Sequence, residues 1–145
     1  MAECVFCEIL AGRSPASMVY EDDDVAAFMS LYPSRPGECL VIPKAHIDHF
    51  TDIPDQLAAH IMVIAQRIGR RMREVFQPLR VVMVVHGFGV PHAHPILVPQ
   101  HSPTDITSAR FASIEDGRIV YSTRNIAVPQ RSVLDDHARR LKIDS

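Results

Sequence analysis

Val81-Val82-Met83-Val84-Val85-His86-Gly87-Phe88-Gly89-Val90-Pro91-His92-Ala93-His94-Pro95-Ile96-Leu97-Val98 reads as two strands folded back on each other. Residues 81–86 are rich in β-branched side chains, and no purely apolar run of the chain is longer than the five residues of 81–85. Gly87-Phe88-Gly89 places a glycine at each end of a three-residue turn, and 90–98 form the returning strand. Upstream, 54–76 carries helical periodicity: Leu57, Ile61, Ile64, Ile68, Met72 and Val75 recur every three or four residues. Arg67, Arg70, Arg71, Arg73 and Glu74 lie mostly off that stripe and read as a solvated face. Pro78 ends the helix. Before it, 39–42 is a short buried strand stopped by Pro43. Residues 18–21 and 25–29 form a hairpin around Asp22-Asp23-Asp24, and 32–37 is a loop. Downstream, 111–114 and 118–122 flank Glu115-Asp116-Gly117 as a second hairpin. Ser132-Val133-Leu134-Asp135 resembles a capping box opening a short helix to Leu141. One long helix, several antiparallel hairpins and no βαβ alternation predict an α+β fold. At 145 residues, 1–145 is expected to be one domain.

Composition excludes several classes. Lys+Arg total 15 and Asp+Glu 17, with no basic block, so no dedicated nucleic-acid surface is expected. No apolar run approaches the about 20 residues of a spanning helix, so no membrane partner is expected. The start, Met1-Ala2-Glu3, is acidic and no signal-peptide core follows. Three cysteines, an odd number, predict a cytoplasmic protein in which a close Cys pair is metal-binding or redox-active.

Two constellations carry chemistry. His92-Ala93-His94 follows the glycine turn, and strand alternation puts both rings on one face, about 7 Å apart. Such a pair can bind a metal, share a substrate, or divide the two tasks. Cys4-Val5-Phe6-Cys7 lets two thiolates meet one tetrahedral ion, which needs two more ligands. No second C-x2-C exists, so histidines must complete the site, with His46 and His92 the candidates and His49 the alternative to His46. A redox motif would want a surrounding βαβ unit, which is missing. Cys39, in an apolar strand, reads as a core residue. Asp22-Asp23-Asp24 lacks the later Gly and Glu of a calcium loop and reads as a solvated turn.

Taken together, these motifs resemble the histidine-triad (HIT) family, in its bacterial branch with an N-terminal zinc site. The resemblance rests on Cys4-x-x-Cys7-Glu8-Ile9-x-Ala11-Gly12, Val19-Tyr20-Glu21-Asp22-Asp23-Asp24-Val25-x-Ala27-Phe28, Pro36-Gly37-x-x-Leu40-Val41-Ile42-Pro43-Lys44-x-His46-Ile47, and Gly87-x-x-Val90-Pro91-His92-x-His94. It spans about the first 100 residues. It implies an antiparallel sheet with one long helix and a short C-terminal helix, with 1–10 as a zinc clip and 100–145 as a tail of low family signal. It further implies a homodimer that binds a purine nucleotide or nucleotide conjugate and cleaves bonds to the α-phosphate. His94 matches the histidine that attacks phosphorus, and a nucleotidyl-histidine forms. Cys4, Cys7, His46 and His92 match the ligands of a structural zinc. Phe28, Ser30, Leu31, His86, Gly87 and Gly89 match the nucleotide and phosphate site.

The sequence also departs from the family pattern. Of His-x-His-x-His, the third position is Ile96, and an apolar side chain donates nothing to a phosphate oxygen. Loss of one such donor costs about 10²–10³ in rate. Pro95 removes a backbone N–H, so the strand there must be an edge or bulged. Ser30 stands where an acidic residue usually holds the ribose. Phe88 and Gly89 replace polar positions after the turn glycine, and His86 replaces an asparagine. The expectation is a hydrolase or nucleotidyl transferase. Two alternatives stand beside it: a nucleotide-binding regulator with little turnover, and a zinc-stabilised interaction module in which His94 is idle. Met62, Val63 and Ala65 widen the apolar face of the long helix and, with the resemblance, predict a two-fold dimer.

Overall fold

The computed structural model describes residues 4–105, 112–122 and 127–145. A five-stranded antiparallel sheet organises them: β1 (Met18–Glu21), β2 (Val25–Met29), β3 (Cys39–Pro43), β4 (Arg80–Val84) and β5 (Ile96–Gln100), in the spatial order β1-β2-β3-β5-β4. β2 and β3 are buried at every position because both faces of the sheet centre are covered. Side chains alternate between those faces. Val25, Ala27, Met29, Cys39, Val41 and Leu97 belong to the core under α2 (Asp55–Phe76) and α3 (Arg131–Leu141). Ala26, Phe28, Leu40 and Ile42 face the short helix α1 (Val5–Leu10).

The expected helix and first hairpin form at their expected places. α2 buries Ile61, Ile64, Ile68 and Met72 from the predicted stripe and adds Ala65 to it. Ala65 is thus a core residue, whereas Met62 and Val63 are 44% and 51% exposed. The second hairpin is β6 (Ala112–Glu115) with β7 (Arg118–Tyr121); Phe111 lies outside the described residues.

Three expectations change. No tight turn joins the strands of the segment 81–98. β4 and β5 pair from Arg80↔Gln100 to Val84↔Ile96, and residues 85–95 form a loop. Pro91 and Pro95 have no N–H to give a ladder, so His92 and His94 lie before the strand, not in it. The chain is held there by single bonds instead: Ala93 N–H donates to Ile47 O at 2.7 Å, and Val41 N–H to Pro95 O at 2.9 Å. The capping box does not form either. α3 starts at Arg131 with Gln130 as its N-cap and no side-chain cap bond. Asp135 is drawn into a tertiary contact, its Oδ1 accepting from Ser17 Oγ at 2.7 Å. Finally, Asp22 is more than a solvated turn. It accepts from Tyr20 OH (2.5 Å), pairs with His60 Nε2 (2.6 Å) and takes the N–H groups of Asp24 and Val25 (2.8 Å each), pinning the β1–β2 turn to α2. Burial alone would raise the Asp22 carboxyl, but these donors outweigh it and hold the group below the usual carboxylate range. Burial and the bond to Asp22 push the Tyr20 phenol up to about 12.

Candidate functional site

α1 packs across the sheet face that carries Phe28 and Leu40, and its position assembles the site. Cys4 is its N-cap and Cys7 lies on its first turn, so both thiols leave the helix on one side. Cys4 Sγ lies 3.4 Å from His92 Nδ1, Cys7 Sγ 3.3 Å from His46 Nδ1 and 3.7 Å from His92 Nδ1. The four donor atoms all fall within 4.8 Å of one another. Cys4, Cys7, His46 and His92 therefore form a cluster that could hold a metal ion.

The donor set fits such an ion on three counts. With metal–sulfur bonds near 2.3 Å and metal–nitrogen bonds near 2.0 Å, a tetrahedral centre spaces S and N by about 3.5 Å, close to the separations found. The His92 tautomer is also set correctly: its Nε2–H donates to Pro43 O at 2.8 Å, leaving the Nδ1 lone pair towards both sulfurs. Lastly, burial and the adjoining Cys4 push the Cys7 thiol up, and burial disfavours a charged His92. Two thiolates at this spacing repel, and a dication reverses that balance. His49, the alternative ligand, is not part of the cluster. Its side chain is 74% exposed, with Asp48 as its nearest acid at 4.0 Å.

His94 sits beside the cluster but takes no part in it. Phe6 stands edge-on to both rings, its centroid 5.8 Å from His92 and 5.1 Å from His94. The two imidazoles thus do share a side of the sheet, through contact with α1 and not through strand alternation. His94 is 6% exposed, and its Nδ1–H donates to His92 O at 2.6 Å. That bond leaves the Nε2 lone pair free. Nε2 faces Gly89: a Cβ built there would lie 3.8 Å from it, in ordinary van der Waals contact.

The other predicted site residues surround this atom unevenly. Phe28 is buried beneath Phe6, ring centroids 5.4 Å apart. Ser30 is nearly buried, its Oγ accepting from Tyr32 N–H at 3.2 Å, and Leu31 is exposed. His86, Gly87 and Gly89 lie on an exposed loop, and Phe88 is fully exposed. Ile96 packs at the margin of the apolar cluster of Phe6, Phe28 and Leu40. Cys39 is fully buried, and burial pushes its thiol up, so it is the core residue expected. Sequence reasoning missed Phe6, the spacer between the rings, and the Pro43 carbonyl that sets the His92 tautomer. Phe6 was in view inside the C-x2-C motif, but only the packing of α1 reveals its task.

An antiparallel sheet with one long helix, a Cys2His2 cluster and a buried histidine of defined tautomer describes a histidine-triad domain. Residues 11–102 match the family model described as the HIT domain, and the chain belongs to that family. It is 34% identical over 107 residues to the protein hit of Bacillus subtilis, covering 70% of this chain and 74% of that protein. It is 31% identical over 100 residues to the adenosine 5'-monophosphoramidase HNT1 of Saccharomyces cerevisiae, covering 68% of this chain and 63% of that enzyme. Its fold superposes on a Zn-bound histidine triad family protein from Mycobacterium smegmatis with a TM-score of 0.71 and 25% identity, over 97% of this chain and 91% of that one. Among the described residues no helix is long and apolar enough to cross a membrane.

Proposed function

We propose that this chain is a nucleotide hydrolase or nucleotidyl transferase acting at the α-phosphate, with His94 as the nucleophile. One observation carries the reading: the 2.6 Å bond from His94 Nδ1–H to His92 O, which commits the ring to the tautomer with a free Nε2. In the first step Nε2 forms a bond to phosphorus while the leaving group departs with the electron pair of its own bond. Water then displaces the imidazole, restoring the lone pair and releasing the nucleoside monophosphate. Gly87 and Gly89 would let the loop approach the phosphate closely, with His86 beside them. Ser30 and Leu31 would border the ribose and base, with Phe28 supporting them behind Phe6. The purine preference rests on the family resemblance. Cys4, Cys7, His46 and His92 would hold zinc, and four protein ligands leave no open position, so its task would be structural.

The monophosphoramidase relative supports an amide or ester of a nucleoside monophosphate as substrate. The test is a mass spectrum of intact protein after incubation with adenosine 5'-phosphoramidate. An adenylyl adduct mapping to His94 is expected. Tight binding without adduct or turnover would favour the regulator reading, to which Ile96 in its apolar setting lends support.

A homodimer belongs to the same proposal. Among the described residues β4 is an outer strand of the sheet, with one side unpaired, and Met83 on it and Met62 and Val63 on α2 are exposed. A second copy laid edge to edge would satisfy the free backbone groups of β4 and cover these side chains. Light scattering at tens of micromolar should give twice the mass of the chain; a monomer mass refutes it.

A further inference from the structure

On the α2 side of the sheet, away from His94, a cavity of about 460 Å³ opens between the loop 30–38 and α3. That volume lies within the range of small-molecule sites, about 300–1,000 Å³. Met29, Pro36, Val133 and Leu134 give it apolar walls, and Glu38 and His137 are its ionisable members. Glu38 is 6% exposed. Its Oε1 accepts twice from Ser34, from Oγ at 2.7 Å and from N–H at 3.2 Å. Its Oε2 has no hydrogen-bond partner among the described residues, and no Lys, Arg or His among them pairs with this carboxylate. The nearby Arg35 is taken by Asp105 at 2.7 Å. His137, edge-on to Phe76 with ring centroids 5.2 Å apart, does not supply the missing charge, because burial disfavours its protonated form.

Glu38 Oε2 is thus left open at the cavity, unpaired, between walls that are mostly apolar and offer it no compensating positive charge. A cation bound in the cavity resolves both conditions at once, since a charge-assisted hydrogen bond is among the stronger polar contacts. We propose that this cavity binds a small organic cation. Its ammonium or amidinium group meets Glu38 Oε2, and its compact apolar body lies against Met29, Val133 and Leu134. The site is independent of the reaction proposed at His94. The two regions are nonetheless joined by the loop itself, because Ser30 N–H donates to Glu38 O at 3.0 Å.

The experiment titrates the full-length protein, followed by ¹H–¹⁵N spectra, with 2-phenylethylammonium and separately with its neutral analogue 2-phenylethanol. The ammonium should shift resonances of 33–38 and 127–137, with an affinity at least about tenfold above that of the alcohol, the worth of one good charge-assisted bond. Glu38→Gln keeps an oxygen for the two Ser34 donors and should erase that tenfold preference. Val133→Trp should fill the cavity and abolish binding of both probes. Equal affinity for ammonium and alcohol, an undiminished preference in Glu38→Gln, or shifts confined to other surfaces would each overturn the proposal.

Discussion

His92 and His94 stand two residues apart, touch the same phenylalanine, and live in different regions. His92 is fully buried, bonded at Nε2 to Pro43 and surrounded at Nδ1 by Cys4, Cys7 and His46. Its neighbours come from α1, from the end of β3 and from the segment after it, so several elements agree on one geometry. His94 is also held, but by a single bond to its own chain, and the loop 86–89 that it faces is exposed. The metal-type half of the site is built in advance; the half proposed to meet phosphate has a fixed ring and an open wall. Rigid support for a ligating ring and freedom around a reacting one is the arrangement a covalent cycle needs, because substrate and product must pass.

The sharpest way to break this comparison is to remove each ring in turn. His94→Ala should lower nucleotidyl transfer by about 10⁴ or more while leaving metal content and melting temperature near those of the parent, since only one local bond is lost. Turnover at the parental rate would end the enzyme reading at this residue. His92→Ala should do the reverse. Zinc should fall from close to one per chain to near none by elemental analysis. Loss of about 4 kcal/mol of stability should lower the melting temperature by roughly 8–16 °C. A variant that keeps its metal would show that His92 is a bystander. Next in size is Ile96→His. Ile96 is the first residue of β5, beside the apolar cluster on the His94 side, and a histidine there should raise the rate by about 10²–10³ if it reaches the phosphate. No gain would mean that Pro95 directs position 96 away from the reacting group.

The smallest effect concerns neither histidine and supplies a baseline. Arg35, with help from the His101 and Ser102 N–H groups, holds the Asp105 carboxyl down at about 2. A depressed carboxyl contributes stability that is full above its ordinary value near pH 4 and is lost as pH falls towards about 2. Asp105→Asn should therefore cost about 1–2 kcal/mol at neutral pH, with the gap to the parent closing between about pH 4 and 2. Protonation of Cys4, Cys7, His46 and His92 affects both proteins alike and cancels from that difference. A gap that stays constant through this window would show that the pair is not the source.

Local pattern carried much of the reading. The stripe from Leu57 to Val75 could only be a helix, because no other period places those side chains together. Strands β1, β2 and β3 announced themselves by alternation or by a continuous apolar run between turn residues. The pair Cys4 and Cys7 was legible as a candidate ligand pair, since one helical turn brings two thiols to one side. Less legible was α1 itself, six residues long, whose helical state depends on docking against Phe28 and Leu40 more than on its own propensity. The capping box failed for a similar reason: Ser17, far away in sequence, offered Asp135 a partner that no local rule could foresee.

By itself, then, the chain determined its helical and strand periods and offered the Cys4-x-x-Cys7 and His92-x-His94 pairs as candidates, because each of these is a property of neighbours in sequence. The tertiary structure alone decided that His92 would turn Nδ1 towards two sulfurs while His94 would present Nε2 to a glycine. Tautomer and direction are set by the Pro43 and His92 carbonyls and by the ring of Phe6, and only the packing of α1 across the sheet brings that ring to both histidines.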